Sequence, residues 1–243
     1  LPFGLGRGFG RSQAEKENAE AELKRQNEKK PLNNLLTFRC DLTKNRTVSS
    51  ADWNPVNLDL LAASYGECDL SPDREGYVMF WTLKNPNYPE KIIKLPSRAL
   101  SCRFSNNSPN LLSTSLYNGV VAIYDIRTNC ERPVVDSSKL LPGKHLDAVW
   151  EVQWVGKGSG SNAQEKGEDL VSISSDGRVV QWSIKKGLEY QDLMSLKRVA
   201  NPTQREENIE AMNFRPTAGF SFDFLKGEGS TYLASTEDGT IHK

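Results

Sequence analysis

The sequence predicts an all-β chain built as an incomplete β-propeller, about three and a half four-stranded antiparallel blades behind a flexible or helical linker. Three observations predict it. A glycine-to-aromatic spacing recurs along the chain. Short strand-like runs recur around that spacing in a fixed order. The most apolar of these runs are near-continuous instead of alternating, as strands covered on both faces should be.

Residues 1–46 precede the repeats and read as the linker. Residues 1–11 are rich in Gly and Arg. "SQAEKENAEAELKRQNEKK" (12–30) favours a helix, but Ala14, Ala19, Ala21 and Leu23 are its only apolar members, too few for a core-facing stripe. Pro31 stops it. A solvated, transient helix is the expected state.

The spacing is clearest in "SSDGRVVQWSI" (174–184). Asp176-Gly177 is a hairpin-turn pair, read as type I′ because Gly supplies positive φ without strain. Beyond it Val180, Trp182 and Ile184 fall on one strand face, and Val179, Gln181 and Ser183 on the other. Counted from Gly177, position +5 is Trp182 and +7 is Ile184; from Gly119 they are Tyr124 and Ile126, and from Gly76 they are Trp81 and Leu83. A fourth copy starts at Gly239, and Lys243 comes before its +5 position. Aromatics are 9% of the chain. Three hits in three trials would therefore arise by chance about once in a thousand.

A strand ahead of each turn repeats as well. Trp53, Phe104, Trp154 and Phe214 mark its end, with apolar residues five before (Val48, Ala99, Val149, Ile209) and two before (Ala51, Cys102, Val152, Met212). "LLAASY", "LLSTSL", "LVSISS" and "YLASTE" supply a second strand, and "EKIIKL", "RPVVDS" and "DLMSLK" a fourth. Blades are expected at 47–98, 99–143 and 144–200, with a partial one at 201–243. "YVMFWTL" and "VVAIYDI" are the near-continuous apolar runs, so each blade needs neighbours on both faces. Polar stretches at 66–75, 156–168 and 215–230 are read as loops inserted into the repeat. Closed propellers need about four to eight blades, so the repeats are expected to continue past Lys243 for about three or four more.

Composition excludes several functions. The chain has 243 residues, 31 basic and 31 acidic, so no net field draws it to nucleic acid or to an acidic membrane. No apolar run approaches the length of a membrane span, and "LPFGLGRGFG" has no signal-peptide core. Cys40, Cys68, Cys102 and Cys130 stand alone and widely spaced, which fits reduced thiols better than a disulfide framework or a metal site. The glycines at 4, 6, 8 and 10 match no phosphate-binding loop. A serine hydrolase would have to use His145 near Asp147, and no nucleophile motif accompanies them. No catalytic, cofactor-binding or metal-binding residue is expected.

The blades resemble WD-repeat proteins. In that family a Gly-His ahead of the first strand starts a buried hydrogen-bond relay through a Ser or Thr of the second strand and the turn Asp to the third-strand Trp. Carried over, the resemblance implies a structural relay of His145, Ser172 or Ser174, Asp176 and Trp182, complete in the third unit only. Longer stretches resemble the dynein intermediate chains, those of cilia above all, with the inner-arm form nearest and the outer-arm form second. They are "VSSADWNPVNLDLLAASYG", "LKNPNYPEK", "NLLSTSLYNGVVAIYDIR", "GKHLDAVWEVQWV", "DLVSISSDGRVVQWS" and "YLASTEDGTIHK". One departure is Ala148, where the family often has Pro. The resemblance implies a non-catalytic subunit of the ciliary axoneme and its cytoskeleton. Its partners would be a dynein heavy chain, a second intermediate chain and dynein light chains, with no nucleic acid, membrane or small-molecule substrate. A generic WD-repeat adaptor would share the blades but not the Lys-Asn-Pro-x-x-Pro-Glu segment. A propeller enzyme would need metal-binding or charged residues converging on the channel.

Overall fold

The computed structural model describes residues 33–67, 75–128, 130–156, 167–184, 187–198, 216–225 and 231–243. The chain divides into two units, Leu1–Thr37 and Phe38–Lys243. In the first, Asn34 Nδ2 donates to Thr37 Oγ1 at 3.1 Å. The helix-prone stretch 12–30 lies outside the described residues.

The second unit is almost wholly β. A short 3-10 turn, Asp41–Thr43, leads into fifteen described strands. They are β1 (Arg46–Trp53), β2 (Leu60–Glu67), β3 (Gly76–Thr82), β4 (Lys91–Leu95), β5 (Ala99–Phe104), β6 (Leu111–Leu116), β7 (Val121–Asp125), β8 (Val135–Asp136), β9 (Val149–Gly156), β10 (Glu168–Ser174), β11 (Arg178–Ser183), β12 (Glu189–Ser195), β13 (Gly219–Phe224), β14 (Tyr232–Thr236) and β15 (Ile241–His242). They form four antiparallel sheets in sequence order: β1–β4, β5–β8, β9–β12 and β13–β15. The sheets do not close on one another: outer apolar residues such as Val48, Trp53 and Ile241 are exposed. This is an open run of propeller blades.

The repeat is visible in the ladders. The first strand of every sheet carries the same bulge, between the residues five and three before its last paired aromatic: Val48/Ser50, Ala99/Ser101, Val149/Glu151 and Gly219/Ser221. One extra residue there re-aims the side chains ahead of it. The equivalent aromatics are Trp53, Phe104, Trp154 and Phe224.

Three sequence expectations need correction. The fourth first strand was placed to end at Phe214, with Ile209 and Met212; those three residues lie outside the described ones, and the strand is Gly219–Phe224, inside the stretch 215–230 read as a loop. Its alternating "GFSFDF" sits in polar, Gly-rich surroundings, which disguised it. The turn glycines also differ. Gly119, Gly177 and Gly239 have φ near +80°, but Gly76 does not, and it opens strand β3. What Gly76 supplies is close approach, since a Cβ there would lie 2.4 Å from the Ser97 carbonyl oxygen. Nor is the Asp176-Gly177 turn type I′. Gly177 N–H donates back to Ser174 O, and only Gly177 has positive φ, so it is a type I turn followed by a left-handed glycine.

Apolar clusters fill the seams between sheets. Phe80, Val78 and Ile93 of the first sheet meet Phe104, Cys102 and Leu112 of the second. Ile123 and Val121 meet Val152, Val180 and Trp182 across the next seam, and Ile173 and Val179 meet Phe222 across the third. Strands β3 and β7, the near-continuous apolar runs, are buried along almost their whole length: β7 faces a seam on each side, and β3 packs on the second sheet with one face and on Phe38 and Cys40 with the other. They are third strands, though, and the innermost are β1, β5, β9 and β13.

Candidate functional site

The third sheet holds the polar cluster that the sequence singled out. The loop after β8 carries His145, β10 carries Ser172, the β10–β11 turn carries Asp176, and β11 carries Trp182. His145, Ser172 and Trp182 are fully buried. Trp182 Nε1–H donates to Ser172 Oγ at 2.8 Å, and the Ser172 hydroxyl donates to His145 Nε2 at 2.7 Å. His145 Nδ1–H donates to the Asp176 carboxylate, 3.0 Å to Oδ2 and 3.2 Å to Oδ1. The directions follow from the ends of the chain: indole is only a donor and a carboxylate only an acceptor. The order in space is therefore Trp–Ser–His–Asp.

Of the two candidate serines, Ser172 is the one that touches both rings. Ser174 lies elsewhere, donating to Asp147 O at 3.0 Å and accepting the Asp176 N–H at 3.2 Å. Alternation along β10 does not distinguish residues two apart, so only the register could separate them. Ser172 lies opposite Val180, two before Trp182, and there its hydroxyl meets the indole edge.

Asp176 also accepts the backbone N–H groups of Leu146 and Arg178, each at 3.0 Å. Burial pushes its carboxyl up, but the hydrogen bond and charge of His145, with those two N–H groups, outweigh burial and hold it below the usual 3.8. Arg178 then fixes the loop ahead of His145. It reaches Asp192 at 2.6 Å and the carbonyls of Pro142 and Lys144 at 3.5 and 3.4 Å.

Ser–His–Asp in this order is the arrangement of a hydrolytic triad, but this one is closed to substrate. Ser172 has no exposed surface, and its oxygen already accepts the Trp182 N–H while donating to His145. No carbonyl can approach such an oxygen. What the arrangement can do is tie a loop, two strands and a turn together through satisfied buried bonds.

The other units solve the same packing problem differently. Trp81 Nε1–H donates to Tyr65 OH at 3.1 Å, a partner that the sequence analysis missed because it lies on the first unit's second strand without a Gly-His to announce it. In the second unit Tyr124 replaces the tryptophan, and burial, with the nearby Asp136 and Cys130, pushes its phenol up to about 12. Cys40, Cys102 and Cys130 are free thiols. Burial pushes Cys102 up to about 11. Among the described residues no His, Cys, Asp and Glu group could hold a metal ion.

Polar contacts at the seams are a second set that sequence reasoning did not find. The Asp52 carboxylate accepts the Phe104 N–H at 2.8 Å, and Trp154 Nε1–H donates to Arg103 O at 3.0 Å. Glu151 accepts from Ser221 Oγ and Phe222 N–H at 2.7 and 3.2 Å. Each stands one to three residues before the first-strand aromatic, but a repeat alignment does not show which residue of the neighbouring sheet it meets.

Four sheets that share one bulge and one seam pattern define a segment of a WD-repeat β-propeller. No protein-family model matches the chain. It is 44% identical over 217 residues to the Rattus norvegicus protein "Dynein axonemal intermediate chain 4", a match over 87% of this chain and 27% of that protein. The Homo sapiens protein of the same name is 43% identical over 217 residues, 87% of this chain and 26% of the relative. The Chlamydomonas reinhardtii protein "Dynein, 78 kDa intermediate chain, flagellar outer arm" is 36% identical over 213 residues, covering 86% and 30%. The chain thus spans about a quarter of the length of the axonemal relatives it matches. Over that stretch it belongs to the dynein intermediate chains.

Proposed function

We propose that this chain is part of a non-catalytic intermediate chain of a ciliary dynein. Its propeller grips the tail of a dynein heavy chain beside a second intermediate chain, helps to hold light chains, and anchors the motor on doublet microtubules of the axoneme. The observation that carries this reading is the match across the blades, 44% identity over 217 residues to a protein named as an axonemal intermediate chain. A rigid stack of sheets with buried, satisfied polar anchors is the kind of scaffold such a role needs, because a gripping surface must hold its loops in fixed positions.

The experiment is recovery of the tagged protein from ciliated cells, with its companions identified by mass spectrometry. Dynein heavy and light chains in stoichiometric amounts are expected, and immunofluorescence should fall along the axoneme. Recovery of a ubiquitin-ligase or trafficking complex without dynein subunits would favour a general WD-repeat adaptor instead.

A further inference from the structure

We infer that the loop 137–148, which links the second and third sheets, is a docking surface, and that its occupant is an acidic segment of a partner chain with an apolar stripe. Leu141 and Leu146 are the apolar anchors. They are 81% and 84% exposed, the two most exposed large apolar residues described between Phe38 and Lys243. Single exposed leucines are ordinary on a protein surface, so what distinguishes these two is how their loop is held.

The loop is long for a link. Three residues, 96–98, join the first and second sheets, and twelve join the second and third. The added length is not slack. Leu140 N–H donates to Ser137 O at 3.1 Å, and Lys144 N–H donates to Leu140 O at 2.6 Å. Ser138 N–H donates to the Asp136 carboxylate at 2.8 Å. Tyr190 lies so close to Gly143 that a Cβ there would be 2.3 Å from its ring. Arg178 holds the Pro142 and Lys144 carbonyls, and the Asp176 carboxylate takes the Leu146 N–H. Each exposed leucine also follows a residue fixed beneath the loop. Leu140 packs in the cluster of Trp182, and His145 is fully buried in the polar relay. The relay and Arg178 therefore hold Leu141 and Leu146 outward on a set backbone.

Such a braced apolar pair loses little freedom on binding, which is what a preorganised contact needs. Its exposure does not come from an unmatched sheet face, since the second and third sheets each have a sheet packed on both sides.

Charge selects the partner. The loop repeats one triplet, Lys139-Leu140-Leu141 and Lys144-His145-Leu146: a cation, a residue anchored beneath, and an exposed leucine. Neither ammonium has a partner among the described residues. The loop's one carboxylate, Asp147, accepts the N–H of Ala148 at 2.7 Å. Two unpaired cations, each two residues before an exposed leucine, match a segment that offers carboxylates beside apolar side chains. The partner is sought among ciliary dynein subunits, a choice that rests on the function proposed above; the surface itself does not.

The test is photocrosslinking in ciliated cells, with benzoylphenylalanine placed at position 141 or 146 of the tagged protein and the joined peptides sequenced by mass spectrometry. Both positions should join to one stretch of one dynein subunit, with Asp or Glu beside Leu, Ile, Val or Phe. Recovery of that subunit should fall by about tenfold or more in Leu141→Asp with Leu146→Asp, and also in Lys139→Glu with Lys144→Glu. Val134→Asp is the control: Val134 is 58% exposed on the β7–β8 connection, and recovery should stay at the wild-type level. The crosslinks are read in an otherwise wild-type chain, so they stand even where a variant unfolds. Full recovery of dynein subunits by both double variants, with no crosslink from 141 or 146, would overturn the inference and leave the dynein reading intact. Crosslinks to one acidic, apolar stretch of a protein outside dynein would support the surface and sink that reading. Crosslinks to a basic or wholly polar stretch, or back into the protein's own chain, would overturn the inference.

Discussion

Replacing Ser172 with alanine would strand two buried groups at once. The Trp182 indole N–H loses its acceptor, and His145 Nε2 loses its donor, both in places with no exposed surface. An unsatisfied buried polar group costs about 1–3 kcal/mol. The two share one site and relax together, so about 3 kcal/mol is expected for the pair. In a folded unit of this size each kcal/mol moves the melting temperature by roughly 2–4 °C, so the fall should be roughly 6–12 °C. Ser174→Ala is the control. Ser174 bonds backbone groups of Asp147 and Asp176 at the turn, and Asp147 is exposed, so water can replace part of what is lost. About 1 kcal/mol, or roughly 2–4 °C, is expected there. Thermal unfolding followed by circular dichroism and tryptophan fluorescence reads both, and Ser172→Thr should recover most of the loss by restoring a hydroxyl. Equal falls for the two serines would refute the Trp–Ser–His–Asp order.

Thr114 stands at the place of Ser172 in the second unit, but Leu95 and Tyr124 replace the histidine and tryptophan, and its buried hydroxyl has no partner among the described residues. Thr114→Val should therefore raise the melting temperature, by roughly 2–4 °C for about 1 kcal/mol, in the same assay. Cys102, with its thiol pushed up to about 11 by burial, should resist iodoacetamide at pH 8 until the chain unfolds, while the partly exposed Cys40 is labelled first, as peptide mass spectrometry would show. Asp176 is held below 3.8 in the fold, so its contribution is fully present above that pH and is lost as pH falls through the lower folded value. The stability gap between the wild-type chain and Asp176→Asn, measured by urea unfolding, should narrow below pH 3.8 and stay flat above it.

How much of this could be read in advance depended on what each signal measures. Glycine-to-aromatic spacing is a local covalent count, so it located β3, β7 and β11 from residues such as Gly119 and Tyr124 without any knowledge of packing. Turn type was less legible, because Asp-Gly suits both a type I′ turn centred on Asp176-Gly177 and a type I turn centred on Ser175-Asp176 with a left-handed Gly177 after it, and the register of the flanking strands decides between them. The choice between Ser172 and Ser174 stayed open for a related reason. Both lie on one face of β10, and only depth relative to Trp182 separates them. Phe224 was hidden because its strand sits in surroundings with a loop's composition, and Ile209, Met212 and Phe214 imitated the apolar offsets ten residues too early. Seam contacts were beyond a reading of single strands, since each joins residues about 50 or 70 apart whose partnership exists only once neighbouring sheets pack.

Glu151 tests whether those seam contacts hold the sheets together. It lies three before Trp154, and its side chain faces two neighbours. One carboxylate oxygen takes Ser221 Oγ at 2.7 Å and the Phe222 N–H at 3.2 Å from the fourth sheet. The other lies 3.6 Å from Arg103 of the second sheet and accepts Gln153 Nε2 at 3.2 Å. Phe222 is buried, so Glu151→Ala leaves a backbone N–H unpaired at the seam, at a cost of about 1–3 kcal/mol. The Arg103 pair is partly exposed and adds little, since such pairs contribute about 0–1 kcal/mol. The loss should therefore fall on the fourth sheet alone. Hydrogen exchange of β13 and β14 amides is expected to quicken by roughly tenfold or more, a factor of ten being about 1.4 kcal/mol, while β5–β8 amides keep their wild-type rates. Uniform quickening across all four sheets would show that the carboxylate supports the whole stack and not one seam. No change in β13 would show that the fourth sheet is held by the Phe222 and Ile173 packing without it.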